Sequence, residues 1–191
     1  MFDQNETLEV VVCTYSEQLP AEHLQTLESL GQELPMRRPH YIVGVSDIAL
    51  ARAYALGYCA KLRNWCKYVL LLDVDILAGP PAVRALRTAL FEHPGAGLAV
   101  CSYATRSARR CVSPSPAGAP WVMAGLGCAM VRTAAIPKPT LVAGSELVPG
   151  CVGSGQHPSR PGLWTSEDFW MCLELVTVDC GAAVAHRRWR P

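Results

Sequence analysis

Tyr68-Val69-Leu70-Leu71-Leu72 runs directly into Asp73-Val74-Asp75, and these eight residues set the frame for the chain. Five consecutive apolar residues without alternation describe a strand covered on both faces, the habit of a central parallel strand. Such a strand needs helices above and below it. Ligands of open α/β sheets bind outside the carboxyl ends of the strands, so both aspartates stand where a crevice is expected.

The neighbouring sequence supplies the rest of that sheet. Leu8–Cys13 is a β-branched run that stops at Thr14-Tyr15-Ser16, a first strand and its loop. Pro20–Leu34 carries Leu24, Leu27, Leu30 and Leu34 at helical spacing, and Tyr41–Val45 is a second short strand. Ser46 and Asp47 mark a helix start. Apolar residues then recur from Ile48 to Trp65 in three- and four-residue steps, which predicts about five turns of helix. Pro80-Pro81 opens a helix through His93, and Leu98–Tyr103 is the next strand. The alternation of strand and helix predicts an α/β fold with a mostly parallel central sheet and helices on both faces.

Beyond residue 104 the pattern loosens. Arg106–Pro120 reads as a loop carrying Arg106, Arg109 and Arg110, either solvated or facing phosphate. Pro137–Gly162 holds ten Gly or Pro in 26 residues, and an irregular segment of that length is expected to be a lid or disordered. Thr165–Leu175 returns to a helical pattern, with short strands at Val176–Val178 and Ala182–Ala185. One domain is expected over 1–191, with a nucleotide- and metal-binding half (1–104) and an acceptor-side half (105–191).

Composition narrows the function classes. The 191 residues carry 17 basic and 16 acidic side chains, a net +1, without the basic excess of a nucleic-acid binder. Half of the residues are hydrophobic, enough for a core. Met1–Glu9 is polar and acidic, so a secretory leader is not expected there, and Tyr68–Leu77 is too short and too acidic to span a bilayer. The nine cysteines are odd in number and include no C-x-x-C pair. Buried free thiols in a reducing cytoplasm are expected, and the histidines other than His186 are expected to face solvent.

Side chains alternate along an extended segment, so Asp73 and Asp75 are expected to point the same way. Two carboxylates so placed repel unless a cation lies near them. Mg²⁺ or Mn²⁺ suits carboxylate oxygens and keeps positions for phosphates. A metal–diphosphate site is one reading of the pair; solvated strand-end carboxylates are the other.

Several motifs in order resemble a small GT-A glycosyltransferase of the family-2 type. They are Val12-Cys13-Thr14-Tyr15, Leu50-Ala51-Arg52, the acidic motif within Leu71–Ile76, Gly125–Arg132, Ser166-Glu167-Asp168-Phe169 and Val184-Ala185-His186. Ala53 stands where many members carry Asn. The resemblance implies that Cys13, Thr14 and Tyr15 hold the nucleotide base and ribose, and that Arg52 neutralises donor phosphate or fixes the acidic motif. It implies Asp73 at ribose or metal, Asp75 on the metal, and His186 as a late metal ligand. Gly125 and Gly127 would let backbone approach sugar and acceptor, and Glu167 or Asp168 would be the general base.

The same residues carry plainer readings. Arg52 could pair with Asp47, Gly125 and Gly127 could mark a turn, and Thr165-x-x-Asp168 fits a helix capping box. His186 could be a surface histidine, and Trp164 and Trp170 could pack in the core instead of stacking on a sugar.

The resemblance implies metal-dependent transfer of a hexosyl or N-acetylhexosaminyl group from a nucleotide-sugar, UDP by default, to a hydroxyl acceptor. That acceptor could be a glycan, lipid, protein or nucleobase-linked group, with Mn²⁺ or Mg²⁺ as cofactor. The alternatives are a nucleotidyltransferase acting on a sugar phosphate and a non-catalytic nucleotide-sugar-binding module.

Overall fold

The computed structural model describes residues 7–103, 112–114, 122–137, 139–141, 147–149, 155–156, 164–165 and 167–187. Its first half alternates β1 (Glu9–Thr14), α1 (Ala21–Glu33), β2 (His40–Val43), α2 (Ile48–Lys61), β3 (Tyr68–Asp73), β4 (Ile76–Leu77), α3 (Pro80–Glu92) and β5 (Leu98–Ser102). Then come β6 (Val112–Pro114), β7 (Val122–Ala124), β8 (Cys128–Arg132), β9 (Pro139–Leu141) and β10 (Leu147–Pro149). The last elements are β11 (Gly155–Gln156), β12 (Trp164–Thr165), α4 (Glu167–Leu175), β13 (Thr177–Ala183) and β14 (Ala185–His186).

Six strands form the central sheet in the order β13-β5-β8-β3-β1-β2. β1 pairs parallel with β2 and β3, β13 pairs parallel with β5, and β8 runs antiparallel to both its neighbours. The predicted α/β fold with a mostly parallel sheet is therefore what the chain adopts. Alternate residues of β3 enter opposite layers, because successive side chains leave a strand on opposite faces. Leu70 and Leu72 join α1 and α3 through Leu27, Leu30, Val83, Leu86 and Leu90. Val69 and Leu71 join α2 and α4 through Leu56, Cys59, Met171 and Cys172. Each fully buried aliphatic side chain contributes about 1.5–3 kcal/mol, and the unbroken apolar run of β3 serves both layers.

Several boundaries differ from expectation for local reasons. α2 starts where Asp47 predicts, the carboxylate accepting from the backbone N–H groups of Ala49 and Leu50. It ends at Lys61, not Trp65, and Trp65 is exposed. The two short strands expected after residue 175 are one strand, β13, whose irregularity against β5 lies between Asp179 and Ala183. Gly181 in that interval has φ +75°, a conformation that suits glycine. Within Pro137–Gly162, an expected lid or disordered segment, β9 and β10 form an antiparallel pair and β11 pairs with β12. Arg106, Arg109 and Arg110 lie outside the described residues.

The antiparallel β8 shapes the carboxyl edge of the sheet. It begins at the edge where β3 and β5 end. Asp73 N–H donates to Gly127 C=O at 2.8 Å across the edge. β14 pairs with β4 there too, setting His186 opposite Ile76.

Candidate active site

A cleft of about 260 Å³ opens at this edge, lined by Cys13, Thr14, Tyr15, Val45, Ile48, Ala51, Arg52, Asp73, Val74 and Asp75. Parallel strands joined by helices put strand ends and helix starts on one side, so β1, β3 and the first turn of α2 converge. Thr14 Oγ1 donates to Ser16 C=O and accepts from Ser16 N–H, folding the turn after β1 on itself. Tyr15 is 63% exposed on the rim, an open ring face. Burial pushes the Cys13 thiol up, with the Arg52 guanidinium pulling the other way.

Arg52 is the centre of the site and is only 2% exposed. Its Nη1 and Nη2 donate to Asp73 Oδ1 and Oδ2, both at 2.8 Å, a bidentate fork. Its Nε lies 3.7 Å from Asp168 Oδ1 at the start of α4. Burial works against the guanidinium charge, yet Asp73 and then Asp168 outweigh it and hold Arg52 well above its ordinary pKa. The cation between carboxylates is thus a side chain of the protein. Arg52 pairs with Asp73 of the acidic motif instead of with Asp47.

Asp73 and Asp75, expected to point the same way, both line the cleft but engage different partners. β3 stops at Asp73, and Val74-Asp75 make a turn before β4, so the alternation of an extended strand no longer applies. Asp73 is engaged by Arg52, whereas Asp75 Oδ2 lies 3.2 Å from His186 Nε2. Asp75 C=O also accepts from Arg187 N–H at 2.6 Å. His186 is therefore no stray surface histidine: β14 delivers it to the acidic turn across more than a hundred residues of chain. Among the described residues no group of three or more His, Cys, Asp or Glu side chains converges for a metal.

The late motifs are placed unevenly. Asp168 reaches the site through Arg52; Thr165 sits in β12 rather than capping α4, which begins at Glu167. The side chains of Glu167, Trp164 and Trp170 lie outside the described residues. Gly125 is half-buried in the bend between β7 and β8. Gly127 is buried, and a Cβ there would stand 2.9 Å from Ile76 Cγ1 and 3.0 Å from Tyr103 Oη. The close approach that favours glycine is made by Ile76 and Tyr103.

Tyr103 is the residue the motifs missed. Its hydroxyl accepts from Gly127 N–H at 3.2 Å, and its ring stacks on His186 at 5.8 Å between centroids. An aromatic ring directly after a buried strand, at the carboxyl edge of an α/β sheet, was the available signal. Val45 and Ile48 on the cleft wall were missed as well. His23, expected to face solvent, is fully buried on α1.

No family model and no curated protein sequence matches the chain. Among solved structures, it is similar to 4-diphosphocytidyl-2C-methyl-D-erythritol synthase from Anaerococcus prevotii, over 68% of this chain and 73% of that one, with 10% identity and a TM-score of 0.43. It is also similar to a glycosyltransferase involved in glycosylation of the major capsid of PBCV-1. That match covers 67% of this chain and 61% of the other, with 12% identity and a TM-score of 0.37.

Proposed function

We propose that this chain is a metal-dependent glycosyltransferase that moves a sugar from a nucleotide-diphosphate donor, a UDP-sugar first among candidates, to an acceptor hydroxyl. One observation carries it: the cleft at the carboxyl ends of β1 and β3 is floored by Arg52, Asp73 and Asp75, with Asp168 brought to the same guanidinium. Three carboxylates against one buried guanidinium leave the floor negative. A diphosphate cannot settle there without a further cation.

The residues present fit one. Asp75 and His186 offer a hard oxygen and an imidazole nitrogen 3.2 Å apart, close to the spacing of adjacent ligands around an octahedral ion with bonds of about 2.1 Å. Mg²⁺ and Mn²⁺ are held by few protein ligands and complete their shells with phosphate and water. Asp73, whose oxygens each accept one bond from Arg52, keeps lone pairs for the ribose or the metal. When bound, the ion supplies Lewis-acid stabilisation of the charge on the departing diphosphate.

The chain's own side chains do the rest. Tyr15, Val45 and Ile48 give the base an apolar wall, and the turn at Thr14 sets the ribose beside Asp73. Asp168 or Glu167 accepts the proton of the acceptor hydroxyl, and Asp168 is the one held against Arg52. A base must begin deprotonated, and Arg52 is the neighbour that its charge needs.

A thermal-shift screen of nucleoside diphosphates and nucleotide-sugars, with and without Mn²⁺, tests the reading, because a ligand of the folded state raises stability by mass action. Mn²⁺-dependent stabilisation by a nucleotide-sugar and release of a nucleoside diphosphate are expected. Release of pyrophosphate would instead identify nucleotidyl transfer. Donor binding without turnover over a broad acceptor panel would leave a binding module.

A further inference from the structure

The second cluster of reactive side chains lies away from the cleft floor, where β5 meets the edge strand β13. Asp179 is in register with Val100 on these parallel strands, so Cys180 stands beside Cys101. Their sulfurs are 3.6 Å apart. We propose that Cys101 and Cys180 are an oxidation site at which a hydroperoxide converts the two thiols into a disulfide, stapling β13 to β5.

Geometry favours this pair. Adjacent strands lie about 4.8 Å apart, within the Cα separations of about 4.4–6.8 Å that disulfides span. Closing the sulfurs to about 2.05 Å asks for roughly 1.5 Å of movement, which two side-chain rotations share. Cys101 has a second sulfur neighbour, Cys128 on β8, but both of those are fully buried. Cys180 is half-buried, so an oxidant from solvent reaches it first.

The chemistry balances with that oxidant. The Cys180 thiolate attacks a peroxide oxygen, the O–O bond breaks, and the sulfur becomes a sulfenic acid while the hydroperoxide is reduced to an alcohol, or to water from hydrogen peroxide. The Cys101 sulfur then attacks the Cys180 sulfur. The S–S bond forms, the S–O bond breaks, and the hydroxyl leaves as water with the Cys101 proton. Contact with Cys101, then burial, pushes the Cys180 thiol up; the contact with Cys128 leads the upward push on Cys101. Thiolate is therefore scarce at neutral pH and oxidation is slow there, rising about tenfold per pH unit as long as the pH stays below the thiol pKa.

The staple lies just before the residues that shape the proposed metal corner. Tyr103 follows Cys101 by two residues, His186 follows Cys180 by six, and the two rings stack. The proposal does not depend on the activity proposed above.

The test exposes the purified full chain to hydrogen peroxide at pH 7 and pH 9, blocks remaining thiols under denaturing conditions, and maps linked peptides by fragmentation mass spectrometry. A Cys101–Cys180 linkage with loss of two hydrogens is expected. It should form faster at pH 9, be reversed by dithiothreitol, raise the thermal midpoint by several degrees, and persist in Cys172→Ser. Linkage of Cys101 to Cys128, oxidation of Cys180 beyond the sulfenic acid without a cross-link, or both thiols remaining alkylatable would overturn the proposal. Cys180→Ser serves as a control, and the wild-type map decides the matter if that variant does not fold.

Discussion

Arg52 shows what a single residue can decide. It opens the second turn of α2, only 2% exposed, with forked bonds to Asp73 and a longer contact to Asp168. Removing one partner from such a group leaves buried charge uncompensated, a loss of about 3–5 kcal/mol. Arg52→Met is expected to lower the urea midpoint accordingly, and Arg52→Met with Asp73→Asn to recover part of the loss. Equal stability of wild type and Arg52→Met would show that the guanidinium has no structural hold on the acidic edge. His23 gives a second prediction at this scale. It is fully buried, and among the described residues neither ring nitrogen has a hydrogen-bond partner. Burial lowers its pKa, with Asp73 opposing. The unfolded chain then binds the proton more readily, so stability falls as the pH drops below about 6.5, the ordinary histidine value. Thermal midpoints measured from pH 7.5 to 5 should fall less steeply in His23→Leu than in wild type; parallel curves would remove His23 as a cause.

At the level of elements, the junction of α4 with β13 carries visible strain. Val176 has φ +48°, a left-handed conformation that a β-branched residue adopts at a cost. Gly97 N–H donates to Leu175 C=O at 2.6 Å, and a Cβ on Gly97 would stand 2.5 Å from that same oxygen. The chain turns here with almost no room. Val176→Gly is expected to stabilise by about 1 kcal/mol, since its side chain is exposed and little packing is lost. Gly97→Ala should destabilise by more than that. Chemical denaturation of the two variants checks both signs, and a destabilised Val176→Gly would mean that the valine side chain offsets its own backbone. Arg132, at the end of β8, works in the opposite sense: its guanidinium donates to the carbonyls of Leu90 and Ala96 and so ties off the end of α3. In the motif order it closes the glycine-rich segment, and its role in the fold is to anchor.

Across the whole molecule, residues far apart in the chain meet at one edge of the sheet, and function should divide along that meeting. Asp75→Ala is expected to lose Mn²⁺-dependent donor binding, read by calorimetry. Asp168→Ala is expected to keep that binding and lose transfer by about 10²–10⁴-fold. Unchanged donor affinity in Asp75→Ala would remove the metal assignment, and undiminished transfer in Asp168→Ala would remove the base. Both variants retain Arg52 and its bonds to Asp73, so a shared loss of folding is not the expected outcome.

The local record of the chain was enough for the frame. The apolar run of Tyr68–Leu72, the strand before Thr14, the Asp47 cap and the helix-opening prolines predict the alternating elements that are found, because burial on two faces and capping of a helix end are written in adjacent residues. Asp73 and Asp75 were legible as cleft residues because they follow a buried strand of an α/β sheet, whereas Cys13, Thr14, Tyr15 and Arg52 were named by the resemblance of their motifs; all six line the cleft. Partners were not legible. Whether Asp73 faces a metal or a guanidinium depends on where α2 packs over β3, and whether His186 is a stray terminus or a neighbour of Asp75 depends on β14 pairing with β4. Tyr103 and Gly127 belong together only because β8 runs antiparallel and starts where β5 stops. Periodicity and capping act over a few residues, so the elements and their order are already present in the linear chain. Charge pairing and close packing act through space, so it takes the folded sheet to pair Asp73 with a guanidinium and Asp75 with an imidazole.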